Sequence, residues 1–163
     1  MLRKILISLL VIFVVIQFIH PSKNRSAGPH PGYIGNVYTV PTDVKPILEK
    51  ACNDCHSNNT NYPWYSYIQP VDWWLTNHIN DGKKELNFDE YTTRSPRYQY
   101  HKMEEVEEMI NDGEMPLDSY TWIHKNAKLT PAEKNKIISW ATAVRKDLES
   151  RYPIDSLIRK KQP

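Results

Sequence analysis

Cys52-Asn53-Asp54-Cys55-His56 holds both of the chain's cysteines and a histidine beside the second. Thiols at this spacing can each form a thioether to one vinyl group of the same porphyrin, and the next imidazole can reach the iron. The C-x-x-C-H spacing predicts covalent attachment of one haem c, with Cys52 and Cys55 as anchors and His56 as proximal axial ligand. Three other chemistries use paired cysteines. A closed zinc site needs four Cys or His ligands, and no second CxxC or HxxxH follows. A thioredoxin-like redox pair expects a βαβ setting, and a structural disulfide is the third.

An iron held on both faces needs a second donor far along the chain. Met103, Met109, Met115, His78, His101 and His124 are the available side chains. Met103 and Met109 lie in a helical pattern, where methionine usually fills core space. Met115 stands between the helix-stopping Gly113 and Pro116, about sixty residues after His56, on a loop whose backbone the proline constrains. It is the expected distal axial ligand. His78, on the apolar stripe of its helix, is the main rival; a histidine there more often makes a core hydrogen bond or touches the haem edge.

Several elements must position these groups. Met1-Leu2-Arg3-Lys4 is a basic start, and Ile5 to Ile19 is apolar except for Ser8 and Gln17. The pattern reads as an uncleaved signal-anchor over 1–20, followed by a Pro/Gly-rich flexible tether over 21–40. A haem-binding domain over 41–152 and a basic tail over 153–163, with Arg159-Lys160-Lys161, complete the organisation. This places the protein at a bacterial cytoplasmic membrane, single-pass, with the haem domain in the periplasm. Within the domain, Thr42 caps a helix through Val44, Ile47, Leu48 and Ala51 that leads into the cysteine motif. Residues 57–69 read as loop. A helix from Pro70 carries Val71, Trp74, Leu75, His78 and Ile79, with Gly82 as its C-cap. Residues 83–100 read as loop, and a short helix follows with Met103, Val106 and Ile110 on one side. Thr130-Pro131-Ala132-Glu133 is a capping box opening a last helix to about Ser150. No stretch shows period-2 alternation, so the fold class is all-α: a small helical domain around one haem, preceded by an N-terminal membrane helix.

The order of these elements resembles the small class I cytochromes c. A closer resemblance is to membrane-anchored haem-binding domain proteins of Bacteroidetes-type bacteria. It rests on Cys55-His56-Ser57-Asn58, Tyr62-Pro63-Trp64-Tyr65, Trp73-Trp74, Gly82-Lys83-Lys84-Glu85-Leu86-Asn87-Phe88 and Met115-Pro116. The resemblance implies thioether anchors at Cys52 and Cys55, His56 as proximal ligand and Met115 as distal ligand. It also implies a proline carbonyl, from Pro63 or Pro70, that orients the His56 ring.

A net charge of +2 with dispersed Lys and Arg excludes nucleic acid as an expected partner. His/Met ligation closes both axial positions, so the leading expectation is a one-electron carrier serving redox partner proteins at or near the membrane. The alternative is a haem sensor or small-ligand module with a labile distal position. Catalysis such as peroxide reduction needs a polar distal acid/base group, which the sequence does not locate.

Overall fold

The computed structural model describes residues 1–158; Arg159, Lys160 and Lys161 of the basic tail lie outside them. Its longer helices are α1 (Leu2–Ile16), α2 (Lys45–Ala51), α4 (Val71–Glu85), α5 (Pro96–Asp112) and α7 (Pro131–Arg151). Single turns form α3 (Asn53–His56), α6 (Asp118–Thr121) and α8 (Ile154–Leu157). Among the described residues there is no β-strand, in line with the all-α expectation.

The expected membrane helix is corrected. Among the described residues, no helix is long and apolar enough to cross a membrane. α1 has 15 residues, which at ~1.5 Å per residue give about 22 Å against about 30 Å of hydrocarbon. It stops because the chain then engages polar groups of the domain. Gln17 Oε1 accepts the Gln69 N–H at 2.9 Å, and Gln69 Nε2 donates to the Ile19 carbonyl at 2.6 Å. α1 therefore does not support a single-pass anchor, nor the periplasmic placement that depended on it.

Residues 20–25 run along the same face. The Asp72 side chain on α4 is fully buried and lies 2.7 Å from both His20 Nδ1 and Lys23 Nζ. Burial alone would raise its pKa, but the bonds from Lys23 and His20 outweigh that and hold the carboxyl below the usual range. Asn24 Nδ2 donates to the Ser57 carbonyl and Thr60 Oγ1, each at 2.9 Å.

The core lies between α5 and α7. Met103 and Tyr100 of α5 pack with Trp140, Ala141, Val144 and Leu148 of α7, joined by Ile34, Val44, Leu48 and Phe88. Arg145 of α7 ties the helices at their rim by pairing with Glu104 and Glu107 at 3.2 and 3.1 Å. α5 begins at Pro96, well before the expected start, capped by Ser95, whose hydroxyl accepts from the Tyr98 N–H. Gly113 ends it in the left-handed region at φ 76°, where glycine has no Cβ penalty. Thr130 and Glu133 form the expected capping box of α7.

Candidate functional site

α2 breaks at Cys52, and the single turn α3 carries the rest of the motif to His56. The segment from Gly82 to Asp89 clamps this turn. A Cβ at position 82 would lie 2.8 Å from the Cys55 carbonyl oxygen, so only glycine lets α4 pack this close. Gly82 is therefore a packing position inside α4; the helix ends three residues later, with Leu86 extended as its C-cap. His56 Nδ1 lies 2.9 Å from the Leu86 carbonyl, and the Phe88 N–H donates to the His56 carbonyl at 2.8 Å. Leu86, not the expected Pro63 or Pro70, orients the ring. Nδ1 must carry the hydrogen to make that bond, which leaves the lone pair on Nε2. Burial lowers the imidazole's pKa, opposed by the backbone bonds from Leu86 and Gly82, so the ring is held neutral and ready to ligate.

Cys52 and Cys55 are free thiols. Burial first, then the neighbouring Cys55, pushes Cys52 up to about 12; burial and Asp54 push Cys55 up to about 11. Redox-active CxxC pairs work by the opposite shift, a thiol lowered toward a thiolate. Among the described residues, no group of three or more His, Cys, Asp or Glu is placed to hold a metal ion.

The cysteine motif faces two adjoining cavities. The larger, about 350 Å³, is walled mainly by apolar groups including Leu48, Val106, Ile110 and Ile137, with Cys52, His56, Met109 and Met115 on its surface. The smaller, about 210 Å³, shares Cys52, His56 and Met115 and adds Cys55, His78 and Tyr120. An apolar cleft with two thiols, a neutral imidazole and a thioether fits an iron porphyrin.

The donors suggested by the sequence separate here. Met115 borders both cavities. Met109 borders the larger one, although it lies on α5. Met103 is fully buried in the α5–α7 core and borders neither. His78 reaches the smaller cavity, with Nδ1 2.9 Å from the Trp74 carbonyl. His101 points away on the exposed side of α5, 3.0 Å from Glu105. His124 stacks on Tyr120 and bonds the Tyr65 hydroxyl at 2.5 Å.

The family model described as haem-binding domain matches residues 11–143. This chain belongs to the haem-binding domain family. Its cofactor is haem, and the matched region takes in the end of α1 and the segment that binds Asp72, along with the helices around the cleft. No curated protein and no solved structure matches the chain.

Several site residues were not legible beforehand. Lys102 borders the larger cavity, held at 2.9 Å by Glu85 and 2.6 Å by Glu105. Its place beside Val106 and Met109 on one face of α5 could be found only once the helix was known to begin before it. Leu86 acts through its backbone, for which a side-chain pattern carries no signal.

Proposed function

We propose that this haem-binding domain attaches one haem c through thioethers at Cys52 and Cys55, with His56 and Met115 as axial ligands. In this reading it carries single electrons between redox partner proteins. The observation that carries the proposal is the presence of Cys52, His56 and Met115 on the wall of one apolar cavity. The resemblance to class I cytochromes c supports the same pairing.

Bound haem supplies a one-electron iron couple. The protein's part is to hold that iron still and dry. His56 offers Nε2 because Leu86 fixes its other nitrogen. Phe88 lies edge-on to the His56 ring, with centroids 6.4 Å apart, and packs on Trp140 at 5.9 Å, shielding the proximal side from water. A methionine thioether opposite the imidazole favours the reduced iron and raises the potential.

Two measurements on the haem-loaded chain test this. Haem that stays with the polypeptide under denaturing conditions supports thioether attachment; release of all the haem refutes it. The ferric form should show the far-red methionine–iron band, abolished in Met115→Ala and retained in Met103→Ala. A sensor with a labile distal position is the second reading, favoured by His78 and the smaller cavity beside Met115. Fast carbon monoxide binding to reduced wild-type protein would select it over the carrier.

A further inference from the structure

Asp54 is the second variable residue of the CxxC motif, and its carboxylate joins three separate segments. Oδ1 accepts the Asn61 N–H at 2.9 Å, and Oδ2 accepts the Tyr120 hydroxyl at 2.7 Å. Tyr120 belongs to α6, the single turn that follows Met115-Pro116-Leu117. Its ring borders the smaller cavity beside Cys55, His56 and Met115. On its other side the ring stacks on His124 at 4.2 Å with an interplanar angle of 11°.

The Met115 loop is thus held at two ends. At its start, the Glu114 and Met115 N–H groups both donate to the Met109 carbonyl, at 3.0 and 3.2 Å, tying it to the end of α5. At its far end, the phenol–carboxylate bond ties it to Asp54, one of the two residues between the anchoring cysteines. A hydroxyl donating to an ionised carboxylate makes a stronger bond than a neutral pair. Asp54 therefore serves the motif as a fastening point, while Cys52, Cys55 and His56 supply its chemistry.

We infer that Tyr120 and Asp54 are positioning residues for the distal ligand: their hydrogen bond fastens the Met115 loop to the haem-attachment motif and sets how often the distal position opens. The inference rests on Met115 as distal ligand. Losing a hydrogen bond to a charged acceptor changes an equilibrium constant by roughly ten- to a hundredfold, and the open fraction rises accordingly.

The test uses the haem-loaded full chain, with the ferric far-red band and the rate of carbon monoxide binding to the ferrous form as readouts. Tyr120→Phe should weaken the band and speed binding about tenfold or more. Asp54→Ala removes this bond and the Asn61 bond, so its effect should be at least as large, and the double variant should match Asp54→Ala, because Tyr120 then has no Asp54 bond left to lose. Asp54→Asn keeps an acceptor oxygen and should give an intermediate rate, which keeps the test open if the alanine variant folds poorly. Tyr38→Phe is the control: it loses a buried bond to Gln99, 2.7 Å long, and Tyr38 borders neither cavity. It should leave both readouts unchanged; equal effects of Tyr38→Phe and Tyr120→Phe would reduce the bond to general stability and overturn the inference. Wild-type readouts in Tyr120→Phe, with the band lost in Met115→Ala, overturn the fastening alone. A band unmoved by Met115→Ala overturns the ligand assignment and the fastening together.

Discussion

Gly82→Ala separates two physical effects of opposite sign. A glycine inside a helix costs about 1 kcal/mol relative to alanine, so helix propensity alone makes the variant more stable. The structure predicts the reverse. The new methyl would sit 2.8 Å from the Cys55 carbonyl oxygen and 3.0 Å from the Cys55 Cβ, whereas unstrained carbon contacts lie near 3.5–4.0 Å. Relief needs α4 to move about 0.5–1 Å from the motif, and the neighbour is backbone rather than a flexible side chain. The next residue, His56, is itself pinned through Leu86 and Phe88. Overpacking at such sites costs about 1–3 kcal/mol, and so fixed a neighbour puts this one in the upper half of that range. After subtracting the propensity gain, the variant should be about 1–2 kcal/mol less stable, a fall in thermal midpoint of about 2–8 °C. Urea unfolding followed by circular dichroism measures this, with an unchanged slope showing that stability alone has moved. Asn80→Ala, at an exposed position of α4, is the reference and should stabilise by a few tenths of a kcal/mol. If Gly82→Ala rises alongside Asn80→Ala, the close packing of α4 on the cysteine motif is wrong.

Three further outcomes follow from charges outside the cleft. Asp72→Ala should cost about 1–3 kcal/mol in denaturant unfolding, because it takes a buried acceptor from His20 Nδ1 and Lys23 Nζ, although Lys23 keeps its bond to the Ser66 carbonyl at 2.7 Å. Asp72 has its pKa lowered on folding, so its contribution is complete above the unfolded value near 3.9 and fades as pH falls below it; Asp72→Asn should flatten that limb of the stability–pH curve. Glu133 is held at about 2, first by Lys50 at 2.6 Å and then by the Thr130 backbone. Its contribution is lost as pH falls from about 4.3 toward that value, and Glu133→Gln should remove the loss in acid titrations followed by thermal melting.

Some of this was legible in local pattern. The capping box at Thr130 and the stop at Gly113 both depend on residues within one turn of each other, so sequence alone located them. The α5 start was missed because Ser95-Pro96 opens a turn whose apolar residues are mostly tyrosines, which blurs the period. α1 was over-read because hydropathy registers composition without asking what Gln17 and His20 will bond. Their partners, Gln69 and Asp72, lie some fifty residues away. Trp74 belongs to the apolar stripe of its helix by spacing, yet it is 46% exposed. The most buried residue of that helix is instead Asp72, a polar side chain that the periodicity of apolar residues could not flag.

The haem cofactor was legible in residues 52–56, and the family in that motif together with Tyr62–Tyr65, Trp73-Trp74, Gly82–Phe88 and Met115-Pro116, because groups at short fixed spacing leave a local trace in sequence. Everything that orients those side chains depends on contacts between distant segments. The Leu86 carbonyl on His56, the space left by Gly82 against Cys55, and the Tyr120 hydroxyl on Asp54 bring together groups 27 to 66 residues apart. Only the packing of α4 and the Met115 loop onto the motif decided them. Backbone carbonyls and absent methyl groups leave little periodic trace in a sequence, and the geometry of a cleft is made of both.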